Sequence, residues 1–296
     1  MVDINDSRSY DPDTFEALIS EQMGSGSFGP PVGIARAIFE VNAAQKARDE
    51  TTDPIAFLKQ HYPGQEIFRF ILTHPDLDHM RGLDRLLREI RVRNFWDTKN
   101  TKPEPDFRDD EDKEDWCAYM NIRAGAYDKV TYLRYTQGDQ LFAFARNKDG
   151  SPGGDNIEIM SPTAELINES NARGDWNNLS IVIRIRHVGK TILLPGDAED
   201  RAWDGMRIAY GANLKSDILK ASHHGRDSGF NLAAMKLINP IAAIVSVGRK
   251  PDTDASHKYR YHCSGEQVFS TRHYGNITIS VADDGKITWL GERNNE

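Results

Sequence analysis

His74, Asp76, Asp78 and His79 place four potential metal ligands within six positions. In an extended loop the alternation of His74, Asp76 and Asp78 sends their side chains to one side. His79 follows where the chain turns. Imidazole combined with carboxylate suits borderline or hard divalent ions such as zinc, manganese or iron. The set is richer than one ion needs from one loop, which points to a two-metal site. A polar loop ending in an ordinary Asp helix cap would account for one aspartate and leave the other three residues without a reason.

The elements that must position these residues are legible around them. Ile67 to Leu72 is a short apolar run rich in β-formers, so the ligand loop leaves the carboxyl end of a strand. Gly82 to Ile90 has apolar residues at helical spacing and reads as the helix behind the loop. Residues 177–185 and 189–199 read as two strands joined at a glycine turn and ending in Gly196-Asp197. Asp197 is thus placed like His74, at the end of an apolar strand, where it could otherwise cap a helix beginning near Ala198. Asp217 to Ser228 runs from a short strand into His223-His224-Gly225, and Gly225 permits a tight backbone there.

Further strands are expected over 1–6, 92–97, 130–135, 140–145, 156–161 and 241–248. A terminal hairpin is expected to pair 268–271 with 276–281, followed by a last strand over 286–289. Helices are expected over 12–23, 33–46, 53–60 and 116–124. Between the first two, Gly24 to Pro31 reads as a surface loop, since no Lys-Ser/Thr follows to make it a phosphate cradle. Residues 99–115 are strongly charged and read as a solvated loop entering a helix. A lid is the alternative, but its acidity would repel a polyanion.

His-x-Asp-x-Asp-His between an apolar strand and a Gly-containing helix resembles the metallo-β-lactamase superfamily. Asp76, where the commoner motif has His, resembles the branch containing the hydrolase domain of ComEC-type DNA-uptake competence proteins. A strand ending in Ser161-Pro162, the Gly196-Asp197 step and Leu219-Lys220-x-x-His223-His224-Gly225 extend the resemblance from about Val2 to about Trp289. It implies an α/β fold, the αββα metallo-β-lactamase sandwich, as a single domain over 1–296.

The same resemblance implies one or two divalent ions, zinc or manganese. Asp78, His79, Asp197 and His223 would form the stronger site, with Asp197 bridging both metals, and His74 and Asp76 the weaker one. His223 is favoured as ligand and His224 as its support or a proton-transfer group, and the two could exchange roles. Asp78, His224 and Asp76 are the catalytic candidates. Asn178 stands where many members carry a further His, so the first metal site would be weaker, would prefer manganese, or would fill with substrate; Asn178 could instead touch substrate. Arg226 and Ser228 could hold a substrate phosphate. His257 stands near a His-Pro of the family pattern, with Lys258 replacing the proline, and could contact substrate. An Asp on the first strand would support the metal loop from behind. The hairpin that precedes this strand in the family is missing or shortened here, leaving a sheet edge that a partner protein could cover.

With 296 residues, 39% apolar and 28% charged, the chain has the composition of an ordinary soluble globular protein. No apolar run approaches the roughly 20 residues of a membrane span, and the N-terminus lacks a basic-then-apolar signal pattern. Two distant thiols, Cys117 and Cys263, argue against a disulfide framework or a Cys zinc site and fit a reducing cytoplasm. The net charge of −8 argues against a general nucleic-acid-binding surface, though not against a nuclease whose site is made positive by metal. The reading is a metal-dependent hydrolase, first of a phosphodiester in a nucleic acid or nucleotide. Hydrolysis of a small nucleotide, ester or lactam is the second reading, and a non-enzymatic module on the same scaffold is the third.

Overall fold

The computed structural model describes residues 1–6, 51–139, 144–248, 253–265 and 267–293. The helices expected over 12–23 and 33–46, the glycine-rich loop between them and residues 140–143 of an expected strand lie outside the described residues. Each apolar run that becomes a strand has a packed layer to fill on one or both faces. The N-terminal strand β1 (Ile4–Asn5) is short. Strands β2 (Ile67–Ile71), β3 (Val92–Asp97) and β4 (Thr131–Arg134) make a parallel sheet in that order.

A larger sheet of six strands contains β5 (Ile157–Ser161), β6 (Val182–His187), β7 (Lys190–Leu194), β8 (Ile218–Lys220), β9 (Ala242–Val245) and β10 (Gln267–Ser270). Its order is β10-β9-β8-β7-β6-β5; β5, β6 and β7 are antiparallel and β7 to β10 parallel. Strands β11 (Ile277–Val281) and β12 (Ile287–Gly291) form a separate antiparallel hairpin.

This corrects the expected terminal pairing. Residues 267–270 join β9 inside the large sheet, and 277–281 pair with the last strand. The one-turn helix Thr271–Tyr274 and the left-handed Gly275 separate the two segments, so they cannot meet as a hairpin.

The remaining helices are α1 (Pro54–His61), α2 (Leu77–Met80), α3 (Leu83–Glu89), α4 (Asp110–Arg123), α5 (Ala164–Arg173), α6 (Asp200–Tyr210), α7 (Leu232–Ile238) and α8 (Ser256–His262). Strand alternation sorts the side chains into three cores. Phe70 and Phe95 point out of the small sheet onto Ile55, Leu83, Leu86, Trp116 and Tyr119 of α1, α3 and α4. The adjacent Ile71 and Trp96 point the other way and meet Ile159, Ile181 and Ile183 of the large sheet. The outer face of the large sheet packs Val182, Leu193 and Leu219 against Trp203, Met206, Met235 and Tyr259 of α6, α7 and α8. Helices, sheet, sheet and helices follow one another in a mixed α/β arrangement. No helix among the described residues is long and apolar enough to cross a membrane.

Helix α4 starts earlier than its apolar pattern indicates, because the acidic run supplies its first turn. Asp109 caps it, accepting the Asp112 N–H at 2.9 Å, and carboxylates at a helix N-terminus complement the backbone dipole. The run is not simply solvated. Asp112 is fully buried and pairs with Arg81 and Arg108, while Asp115 accepts the N–H groups of Gly82 and Asp84 at 2.7 and 2.9 Å. These contacts brace the start of α3, immediately behind the ligand loop.

Candidate metal centre

The three ligand-bearing loops leave the carboxyl ends of β2, β7 and β8 and converge where the two sheets meet. One backbone bond joins the sheets at this point: the Ile181 N–H donates to the Thr73 carbonyl at 2.8 Å. Ser180 holds the next loop, its hydroxyl accepting the Asp197 N–H at 3.0 Å. Gly196 sits at φ +56° against Thr73, where an added Cβ would come within 2.8 Å of that side chain. Thr73 in turn is tied to the N-terminal strand. Asp3 accepts both its N–H and its hydroxyl, at 2.7 and 2.8 Å, and also meets His79 Nδ1 at 2.9 Å. With Nδ1 committed to Asp3, the His79 Nε2 lone pair is directed into the centre.

Four side chains close around that nitrogen: Asp78, His79, Asp197 and His224 each offer an atom within 4.8 Å of all the others. His79 Nε2 is 3.2 Å from Asp197 Oδ2 and 3.2 Å from His224 Nε2. His224 Nε2 is 3.3 Å from Asp78 Oδ2 and 3.4 Å from Asp197 Oδ2. Two imidazoles and two carboxylates turned to one point are a donor set that could hold a divalent ion. The four groups also act on one another electrostatically. Burial alone would push the Asp197 carboxyl up, but His79, His224 and His74 hold it well below its usual range. Burial likewise opposes charge on His79, yet Asp197 and Asp3 hold its pKa well above normal. Asp78, its side chain half exposed, is also pulled low against the desolvation by its surroundings, by His224 and His79.

The rest of the loop is arranged differently. His74 is fully buried beside His79, with ring centroids 4.2 Å apart, and its Nε2 has no hydrogen-bond partner among the described residues. Asp76 Oδ2 is 3.7 Å from that nitrogen, and Asp76 Oδ1 is 2.5 Å from Lys102 Nζ. Against the upward push of burial, His74 and Lys102 lower the Asp76 carboxyl to about 2. Asn178 is buried, but both ends of its amide are committed: it donates to Asp175 at 2.8 Å and accepts the Ala202 N–H of α6 at 3.0 Å.

Of the neighbouring histidines, His224 enters the four-membered cluster, whereas His223 Nδ1 meets Glu199 at 2.9 Å and Ser228 Oγ at 2.8 Å. His223 Nε2 remains 3.8 Å from Asp197. Burial lowers the His223 pKa, and Glu199 and Asp197 more than reverse it. The choice follows from three successive left-handed residues, with φ +47° at His223, +54° at His224 and +79° at Gly225. Such a run is strained for side chains other than glycine. At Gly225 a Cβ would lie 2.4 Å from Val245 Cγ1. Arg226 follows, half-buried, and His257 is exposed on α8, whose approach is tied to the loop by the Ala255 N–H on the Gly225 carbonyl at 2.8 Å.

No family model matches the chain. It is 24% identical over 219 residues to ComE operon protein 3 of Bacillus subtilis (strain 168), covering 74% of this chain and 24% of that protein. It is 25% identical over 116 residues to Competence protein ComA of Neisseria gonorrhoeae, covering 38% and 16%. It is 30% identical over 130 residues to Uncharacterized protein YcaI of Escherichia coli (strain K12), covering 42% and 17%. These similarities support a relation to ComE-type competence proteins. The chain spans at most 24% of the length of these relatives.

Sequence reasoning did not single out three residues of the centre. Glu199, two positions after Asp197, could have been suspected from that spacing alone. Asp3 was legible only as one of two aspartates on the first strand. Lys102 carried no signal, being one cation in a charged loop.

Proposed function

We propose that the chain is a metal-dependent hydrolase with the metallo-β-lactamase sandwich fold, acting on a phosphodiester of a nucleic acid or nucleotide. The observation that carries this reading is the convergence of Asp78, His79, Asp197 and His224 from loops of both sheets. The similarity to a competence protein turns the substrate class toward DNA. In this reading Asp78, His79, Asp197 and His224 hold a zinc or manganese ion. A bound divalent ion supplies Lewis acidity and activates water near neutral pH.

The chain's own groups do the rest. Asp3 fixes the His79 ring through Nδ1. His223, paired with Glu199 through Nδ1, carries a proton at that imidazole and releases it toward the leaving oxygen from Nε2. This gives His223 the proton-transfer role and His224 the ligand role. Arg226 supplies positive charge for a substrate phosphate, with His257 further along the same surface. Ser228 orients His223, and Asn178 holds α6 rather than substrate.

The test is hydrolysis by the full chain with manganese or zinc, on single- and double-stranded DNA, RNA and bis-p-nitrophenyl phosphate. Cleavage that needs metal and is lost in Asp78→Ala and His224→Ala supports the reading. Bound metal without cleavage of any phosphodiester would replace it with the small-molecule hydrolase, which the net charge of −8 favours. Failure to bind any metal would sink both.

A further inference from the structure

The His74 side of the centre has ligand types but also a built-in cation. Lys102 Nζ lies 2.5 Å from Asp76 Oδ1, with its side chain only 13% exposed. The loop that carries it is fastened at successive residues. Asp97, at the end of β3, is fully buried and accepts the hydroxyls of Tyr119 and Tyr132 at 2.9 and 2.8 Å, and the Thr98 N–H at 2.7 Å. Asn100 donates to Asp97 at 3.2 Å and to Tyr119 at 2.8 Å, and its carbonyl accepts from Arg123 at 2.9 Å. Asn171 of α5 takes the Thr101 N–H at 2.9 Å and donates to the Lys99 carbonyl at 2.8 Å. Lys102 N–H itself donates to Asn100 Oδ1 at 3.3 Å. A wandering surface lysine would not need such an anchor.

The other residues on this side agree. Asn178 has spent both ends of its amide on Asp175 and α6, so it has turned away from the centre. The buried His74 Nε2 and the second Asp76 oxygen, 3.7 Å apart, are what remains of a ligand pair.

We propose that the Lys102 ammonium occupies the second cation position of this centre, so that the chain works with one exchangeable metal ion beside a fixed lysine. This rests on the metal reading of the Asp78, His79, Asp197 and His224 cluster. An ammonium cannot accept ligands or be lost to a chelator; it has only donors to offer. Its place is therefore to neutralise Asp76 and present N–H groups to an anionic oxygen of the substrate, while repelling a second divalent ion from the same carboxylate.

The experiment is titration of the chelator-stripped full chain with manganese or zinc, read by calorimetry and by metal content after desalting. Wild type and Lys102→Arg are expected to hold one ion per chain. Lys102→Met, shown to be folded by circular dichroism, is expected to hold two, and Lys102→Met combined with Asp76→Ala to return to one. Two ions on the wild type, or a single ion on folded Lys102→Met, would overturn the assignment of Lys102. No ion on the wild type would overturn the metal reading beneath it, a result distinct from either. The wild-type count needs no substitution, so it decides even if Lys102→Met fails to fold.

Discussion

The His79 side and the His74 side of the centre begin on one loop and use the same residue types. Around His79, carboxylates and imidazoles from three loops come within 4.8 Å of one another. Around His74, the carboxylate is already paired with a lysine, and the asparagine that could have completed the set is bonded elsewhere. The difference lies in what each side borrows from distant chain. The first draws on Asp197 and His224, anions and lone pairs that need a cation. The second draws on Lys102, a cation that needs none. A ligand motif in sequence therefore counts donors, but the neighbours supplied by the fold decide how many ions those donors are free to take.

The contrast can be broken most forcefully at its centre. Asp197→Ala removes a carboxylate that touches both His79 and His224. Metal affinity, measured by calorimetry, is expected to fall by at least about 100-fold, the upper range for loss of a mere supporting partner. An effect under tenfold would mean that the cluster is not the binding site. Asp3→Asn tests the support from behind and is expected to weaken metal by about 10–100-fold with unchanged stoichiometry. If the affinity stays put, the His79 ring is being oriented by something else.

A smaller effect belongs to the brace outside the loop. Burial, reinforced by Asp84, outweighs the two N–H bonds to Asp115 and raises its carboxyl to about 6. A raised acid binds its proton more tightly in the folded chain. Its contribution is thus complete below about pH 4 and lost as pH climbs through 6. The unfolding free energy of metal-free protein, measured by urea titration, should fall by about 1–2 kcal/mol over that interval, a fall absent in Asp115→Asn. A pH-independent difference between the two proteins would refute it. The smallest expected effect is at Asn178. Asn178→Ala should cost about 1 kcal/mol of stability through the lost bond to the α6 backbone, with metal affinity within about twofold. A large drop in affinity instead would return Asn178 to the metal.

The loop at 74–79 was readable because its ligands are adjacent in sequence and follow a strong apolar strand. Asp197 and the His223-His224 pair were readable for the same reason, each at the end of its own strand. The choice between the two histidines was not, since it depends on left-handed backbone that Gly225 hints at only for itself. The acidic run looked solvated because its partners, Arg81 and the N-terminus of α3, lie some thirty residues earlier. Lys102 was invisible for a like reason: its carboxylate is 26 residues away, and only the Asp97, Asn100 and Tyr119 network brings it there. The mixed α/β character was legible in the apolar runs and helical spacings, and the layering was implied by the family resemblance, whereas the pairing of β10 with β9 was not legible, because register between remote strands leaves no local mark.

The backbone bond between Ile181 and Thr73 gives the centre a mechanical meaning. Anything held by Asp78 and His79 on one side and by Asp197 and His224 on the other acts as a rivet at the end of the apolar layer that the two sheets share. Its grip adds to the free energy of parting them as RT ln(1 + [L]/Kd), about 2.7 kcal/mol at a hundredfold excess over Kd. Chelation would then show itself far from the loops, as faster amide exchange along the facing strands β2 and β6. The seam would loosen before either sheet melted.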